Sequence, residues 1–272
     1  MNDQGYFPGQ TGFVAAADAH MRFAATVVLL RDGREGLEVF MMQRAKRTDF
    51  GGLHVFPGGK VDIEDAVGAM AAHCSGLTDA EASARLGLKA GGLAFWVAAV
   101  RECFEEAGML LVYGPDGAML RARKPRWAAG LRALRDELNA GHRSFLEVCQ
   151  QMAMQLAVDR VHYFSHWITP EGPPRRYDTR FFVAAAPGEQ EGLHDEHELV
   201  DSCWVRPGDA LAARERGEFN LIYPTLVTLR ALATWSTVEE VLDTVVRREH
   251  LHLVTPDEDL SKEGLQAPAG MP

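Results

Sequence analysis

The sequence predicts an α/β sandwich: a mixed β-sheet with one helix layer on each face. Three observations predict it. Apolar runs suited to strands occur early, at 22–30 and 37–43, and again late, at 175–186 and 199–205. Between them lies the segment 94–111, AFWVAAVRECFEEAGMLL, apolar on one helical face through Phe95, Ala99, Val100, Cys103, Phe104 and Ala107. Three further helical stretches close the chain, at 207–216, 224–235 and 238–248. The long helix and the closing helices are expected to cover opposite faces of the sheet.

The whole chain sets the bounds. Its 272 residues suit one enlarged domain or two small ones, and its apolar and charged fractions are those of a soluble globular protein. The net charge of −10 argues against nucleic acid as a partner, since duplex phosphates call for a basic surface. An anionic substrate would therefore need local cations. The cysteines at 74, 103, 149 and 203 form no C-x-x-C pair, so reduced thiols and a cytoplasmic location are expected. No run is long enough for a membrane span, and no membrane partner is expected.

In chain order, residues 1–20 read as a flexible arm: they lack a basic start, and their apolar run FVAAA is too short for a signal peptide. Residues 21–255 are expected to form a single domain. Arg22–Leu30 and Leu37–Gln43 form a hairpin across Asp32-Gly33 and Gly36. Arg44, Lys46 and Arg47 follow, with Arg44 either facing a phosphate or lying in a solvated loop. His54 reads as a satisfied structural histidine, and Phe56-Pro57-Gly58-Gly59 is a turn that lets backbone approach a ligand. Residues 66–92, rich in Ala and Gly, look like an inserted helix and loop.

The helix at 94–111 places Glu102, Glu105 and Glu106 at i, i+3 and i+4, on one face, with Gly108 as its stop. Three like charges on one turn repel. A helix apolar on one side and this acidic on the other calls for a cation, and divalent metal for phosphate chemistry is the reading adopted here. Tyr113–Gly117 is expected to turn. Arg126–Leu138 and Phe145–Val158 read as two helices within an insertion at about 119–160. They are a structural cap, or their inner face (Phe145, Val148, Met152, Leu156) lines a pocket for an apolar arm. His166–Pro170 reads as a turn, and Arg175–Ala186 as a strand on which Arg175, Arg176 and Arg180 offer guanidiniums suited to phosphate. The acidic segment 194–198 precedes a strand at 199–205, and residues 256–272 read as a loose tail ending in Ala-Gly-Met-Pro, which is no peroxisomal address.

Gly59, Arg101, Glu102, Glu105, Glu106 and Gly108, with Cys103 and Met109 at apolar positions, resemble the Nudix box, G-x5-E-x7-R-E-U-x-E-E-x-G-U, where U is apolar. Gly59 and Arg101 stand forty-two positions apart, well beyond the family spacing, and Asp65 occupies the place of the first glutamate. Both departures, and the run Trp-Ile-Thr-Pro followed by Arg-Arg-Tyr-Asp-Thr-Arg-Phe-Phe, resemble the coenzyme A diphosphatase branch. The resemblance implies a Nudix α/β/α sandwich with inserted helices over the site. It implies Mg2+, with Mn2+ as an alternative, on Glu102, Glu105, Glu106 and the Gly58 carbonyl. Asp65 would orient Arg101, which in turn orients the carboxylates; Glu102 or Glu198 would accept the proton of the attacking water, with Glu196 in reserve. Arg44, Arg175 and Arg180 are the candidate substrate contacts. The implied substrate is a nucleotide diphosphate, coenzyme A or an acyl-coenzyme A first, with NADH or ADP-ribose as the alternative. A nucleotide-sensing module without catalysis is the reading from another class; it often lacks the box glutamates that are present here. A homodimer is compatible with the sequence.

Overall fold

A computed structural model of the chain describes residues 21–45, 52–114, 116–121, 125–171, 175–188, 190 and 199–248. The expected arm, Glu196, Glu198 and the tail lie outside these residues. The elements are β1 (Met21–Gly33), β2 (Gly36–Arg44), β3 (His54–Val55), β4 (Gly58–Lys60), α1 (Gly68–Ala71), α2 (Asp79–Leu86), α3 (Leu93–Ala107), β5 (Val112–Tyr113), α4 (Pro125–Asn139), α5 (Phe145–Met152), β6 (Gln155–Leu156), β7 (His162–Ile168), β8 (Arg176–Ala185), β9 (Leu199–Val205), α6 (Pro207–Glu215), α7 (Tyr223–Leu232) and α8 (Val238–Arg248).

The sheet is mixed and runs β3-β2-β1-β8-β7, with β9 on β2 and β4 on β1. Hairpin β1–β2 is antiparallel, whereas β1 and β8 run parallel from Met21↔Arg176 to Leu30↔Ala185. Alternation along β1 sorts its side chains between two layers. Ala25, Val27 and Leu29 face a core with α3, while Val28 and Leu30 face a second core with α6, α7 and α8. The expected sandwich is present.

β1 meets β2 only over Leu30–Gly33, and its earlier residues Ala24–Thr26 pair instead with β4. That divergence brings β4 against α3. The approach demands glycine: a Cβ on Gly58 would lie 2.5 Å from the Ala25 carbonyl oxygen, and one on Gly59 would lie 2.5 Å from Glu102 Oε1. Twelve of the fifteen residues of α3 are buried, from Leu93 to Ala107, including Trp96, whose indole N–H donates to the Val161 carbonyl at 2.7 Å.

Three sequence expectations are corrected. His166–Pro170 is no turn in its first half, because β7 runs through Ile168 and pairs antiparallel with β8. The helix expected at 145–158 stops at Met152: Ala153 takes φ +49, and Gln155–Leu156 leave to pair with β5. Leu156 N–H also donates to the His73 carbonyl, so tertiary pairing takes this stretch out of the helix. The first insertion carries two helices, α1 and α2, the second opened by a reciprocal cap between Thr78 and Glu81.

That insertion anchors the start of α3. Asp79 accepts hydrogen bonds from Gly91 N at 2.9 Å and Leu93 N at 3.0 Å, and Ser83 Oγ accepts from Gly92 N at 2.9 Å. A carboxylate at a helix N-terminus satisfies orphan donors and suits the dipole. The second insertion reaches the other end, where the glutamates lie.

Candidate active site

The site is built around Arg101, nearly buried at 6% exposure. Its Nε and Nη2 donate to the two oxygens of Asp65, both at 2.9 Å, and Nη2 also donates to the Lys60 carbonyl at 2.8 Å. Nη1 bridges Glu102 Oε1 at 2.8 Å and Glu105 Oε2 at 2.9 Å. One guanidinium thus ties β4, the turn after it and two glutamates of α3 into one unit, which a planar fork of donors does and an ammonium cannot. Burial opposes the charge on Arg101, and Asp65, Glu102 and Glu105 overcome it, holding the guanidinium ionised. Asp65 is 3% exposed and also accepts from Asp62 N at 2.8 Å. The shorter aspartate therefore reaches Arg101 fully.

Glu106 is tied separately: Gly58 N donates to its Oε2 at 2.8 Å, and Arg44 Nη1 stands 3.8 Å from Oε1. Gly58 thereby meets the acidic face through its N–H. Burial pushes the Glu102 carboxyl well above its ordinary range, and the charges of Glu106 and Glu105 push the same way. Glu105 is raised as well, again chiefly by burial. The face carries more negative charge than its two arginines balance.

The donor set is hard oxygen, which suits magnesium, manganese or calcium ions. Among the described residues, no three His, Cys, Asp or Glu side chains are already gathered into a ligand shell. Arg101 takes one oxygen each of Glu102 and Glu105, and the Gly58 N–H and Arg44 meet Glu106. Gly59 leaves a close seat for the Glu102 carboxylate, so the oxygens at this end of α3 are of the kind a hard divalent cation takes.

Of the three candidate arginines, Arg44 stands at the glutamates. Arg180 lies across from Ala25 but points under α3: it is 4% exposed, pairs with Asp178, and sits over the Phe95 ring at 5.4 Å. Asp178 also accepts from His166 Nε2 at 2.7 Å. Arg175 is exposed just before β8, past the stretch of β1 that carries β4. His54 is a structural residue as expected, stacked on Phe219 at 3.8 Å with Nδ1 accepting from Asn220 N. Of the second insertion's expected inner face, Phe145, Val148 and Leu156 belong to the main core. Met152 packs against that core and also borders a cavity of about 280 Å³ between α4 and α5, with Leu131, Leu134, Glu137 and Arg143.

Sequence reasoning missed Arg135. It is 8% exposed, and its Nε donates to the Glu105 carbonyl at 2.9 Å while Nη2 donates to the Glu106 carbonyl at 2.8 Å. A signal existed: Leu131, Leu134, Arg135 and Leu138 share one helical face, so a charge interrupts the apolar stripe of α4.

A sandwich that clamps an Arg-Glu-x-x-Glu-Glu helix onto a Gly-Gly strand is the architecture that the Nudix resemblance implied. The chain matches the family model described as the NUDT19 Nudix domain over residues 73–232, more than half its length. It belongs to the Nudix family, in the branch that this domain defines. That match takes in α3 and begins beyond Gly58, Gly59 and Asp65.

The chain is 29% identical to the human acyl-coenzyme A diphosphatase NUDT19 over 239 residues, covering 76% of this chain and 63% of the relative. It is 29% identical to the chicken protein of that name over 269 residues, with 82% and 70% covered. The chain thus spans less than two thirds of the human relative's length. Its fold is similar to that of a crystallised NUDIX hydrolase from Alicyclobacillus acidocaldarius, at a TM-score of 0.65 and 28% identity over 85% of this chain and 98% of that one. Among the described residues, no helix is long and apolar enough to cross a membrane.

Proposed function

We propose that this chain is a magnesium-dependent Nudix hydrolase that cleaves the diphosphate of coenzyme A or an acyl-coenzyme A, giving 3′,5′-ADP and (acyl-)phosphopantetheine. The observation that carries the hydrolase reading is the grip of Arg101 on Asp65, Glu102 and Glu105 beside the β4 backbone. The printed names of the human and chicken relatives support the choice of substrate.

Glu102, Glu105 and Glu106 would hold the cation, with the Gly58 carbonyl as a further ligand. Bound there, a divalent ion neutralises diphosphate oxygens and acidifies water. The chain's own groups do the rest. Arg101 keeps two glutamates in register, and Asp65 keeps Arg101 in place. Arg44, beside Glu106, meets a phosphate oxygen. Glu102, held by Arg101 on the acidic face, accepts the proton of the attacking water. Glu198 is the alternative base. Four free thiols fit the cytoplasmic location expected for the chain.

A magnesium-supplemented screen of coenzyme A, long-chain acyl-coenzyme A, NADH and ADP-ribose, with products identified by mass spectrometry, tests the reading. Release of 3′,5′-ADP from the coenzyme A compounds is the expected result. Cleavage of ADP-ribose or NADH alone would replace the substrate, and tight nucleotide binding without turnover would favour the sensing module. Glu106→Gln should abolish magnesium-dependent turnover with an unchanged circular dichroism spectrum; near-normal turnover would refute the site.

A further inference from the structure

Glu105 and Glu106 sit in the last turn of α3, where a helix has no partners for its carbonyls. Gly108 takes φ +67 and its N–H returns to the Phe104 carbonyl, which leaves the carbonyls of Glu105 and Glu106 to be met from elsewhere. Arg135, on α4, donates to both, and Asn139 Nδ2 adds a bond to the Glu105 carbonyl at 3.2 Å. The two residues are one helical turn apart, so a single face of the second insertion covers the end of α3.

We propose that Arg135 is a positioning residue for the acidic site: by holding the Glu105 and Glu106 carbonyls it fixes the turn from which both carboxylates project, and so couples the second insertion to cation binding. The proposal rests on the reading of Glu105 and Glu106 as metal ligands. Its physical basis is twofold. A guanidinium at a helix C-terminus is favoured by the dipole and here satisfies two part-buried acceptors at once. A carboxylate can present a fixed oxygen only if its backbone is fixed, because side-chain torsions add to any motion of the turn. Both of these bonds go to the main chain, so through them Arg135 acts on the turn itself. It also gives the insertion a role beyond covering: α4 completes a helix end that the core leaves open.

The test uses the full chain, first without metal and then titrated with Mn2+ alone, read by electron paramagnetic resonance. Three variants are compared: Arg135→Gln, Arg135→Lys, and Leu131→Ala as a control that weakens α4 on the same face while keeping both Arg135 bonds. Arg135→Gln should bind Mn2+ about tenfold more weakly, the usual scale for loss of a ligand's outer support. It should also speed amide exchange at 107–110 in the metal-free protein. Leu131→Ala should match wild type in both readouts, and Arg135→Lys should recover part of the Mn2+ affinity. Unchanged Mn2+ affinity in Arg135→Gln would overturn the positioning role while leaving the metal site standing. An equal loss in Leu131→Ala would overturn it too, by reducing Arg135 to general stability. Failure of the wild-type chain to bind Mn2+ would remove the metal site itself, and this role with it.

Discussion

Arg101 and Arg180 show how burial changes what a charge can do. Both are nearly buried guanidiniums, Arg101 on α3 and Arg180 beneath it, but Arg101 faces several acids and Arg180 is matched by Asp178. A surplus of acid leaves oxygen donors for a cation; a matched pair leaves none. Burial alone would raise the Asp178 carboxyl, and the His166 hydrogen bond together with the Arg180 guanidinium overcomes it, holding the group below its ordinary 3.8. A lowered folded value means stability present above pH 3.8 and lost as pH falls through that lowered value. Asp178→Asn strands Arg180, so it should cost about 3 kcal/mol at neutral pH, and the gap should narrow below about pH 4. Urea unfolding at pH 7 and at steps down to about pH 2 checks both parts; a gap that stays equally wide throughout would show that the pair does not titrate as described.

At the scale of elements, α3 is held at both ends by insertions and along its length by the sheet. Its start is capped by Asp79 of α2, its end by Arg135 of α4. Asp79→Ala should therefore lower stability by about 1 kcal/mol, the usual cost of a lost helix cap, although the residue lies far along the chain from the glutamates. Thermal unfolding reads the change. A melting temperature equal to wild type would mean that the first insertion is ornament to α3. The helix itself was legible in sequence because its apolar and acidic faces keep a regular period. The end of α5 was not, because residues 153–156 continue a helical pattern while their hydrogen bonds go to β5 and His73. Nor was β7 through Ile168: a Thr-Pro pair suggests a turn, and only β8 alongside shows that the strand persists.

For the whole molecule, with a net charge of −10 and concentrated acid at the end of α3, the proposed function makes cation binding a matter of stability as well as catalysis. An ion that binds the folded state alone stabilises it by mass action, by about 2.7 kcal/mol at a hundredfold excess over its dissociation constant. Magnesium should thus raise the melting temperature of the wild-type chain relative to EDTA. It should do so far less in Glu106→Gln. Equal shifts in both proteins would place the stabilising ion somewhere else.

Taken alone, the sequence determined the layers, the acidic helix and its glycine stop, since periodicity and residue type act over neighbouring positions and need no distant partner. It also made Asp65 a candidate for Arg101, through the box pattern, at thirty-six positions' distance along the chain. Tertiary structure decided the rest: which arginines meet the glutamates, that Arg180 is spent inside the core, and that Arg135 closes the end of α3. These depend on which surfaces meet when the sheet is covered, and contacts between remote segments leave no period in a chain.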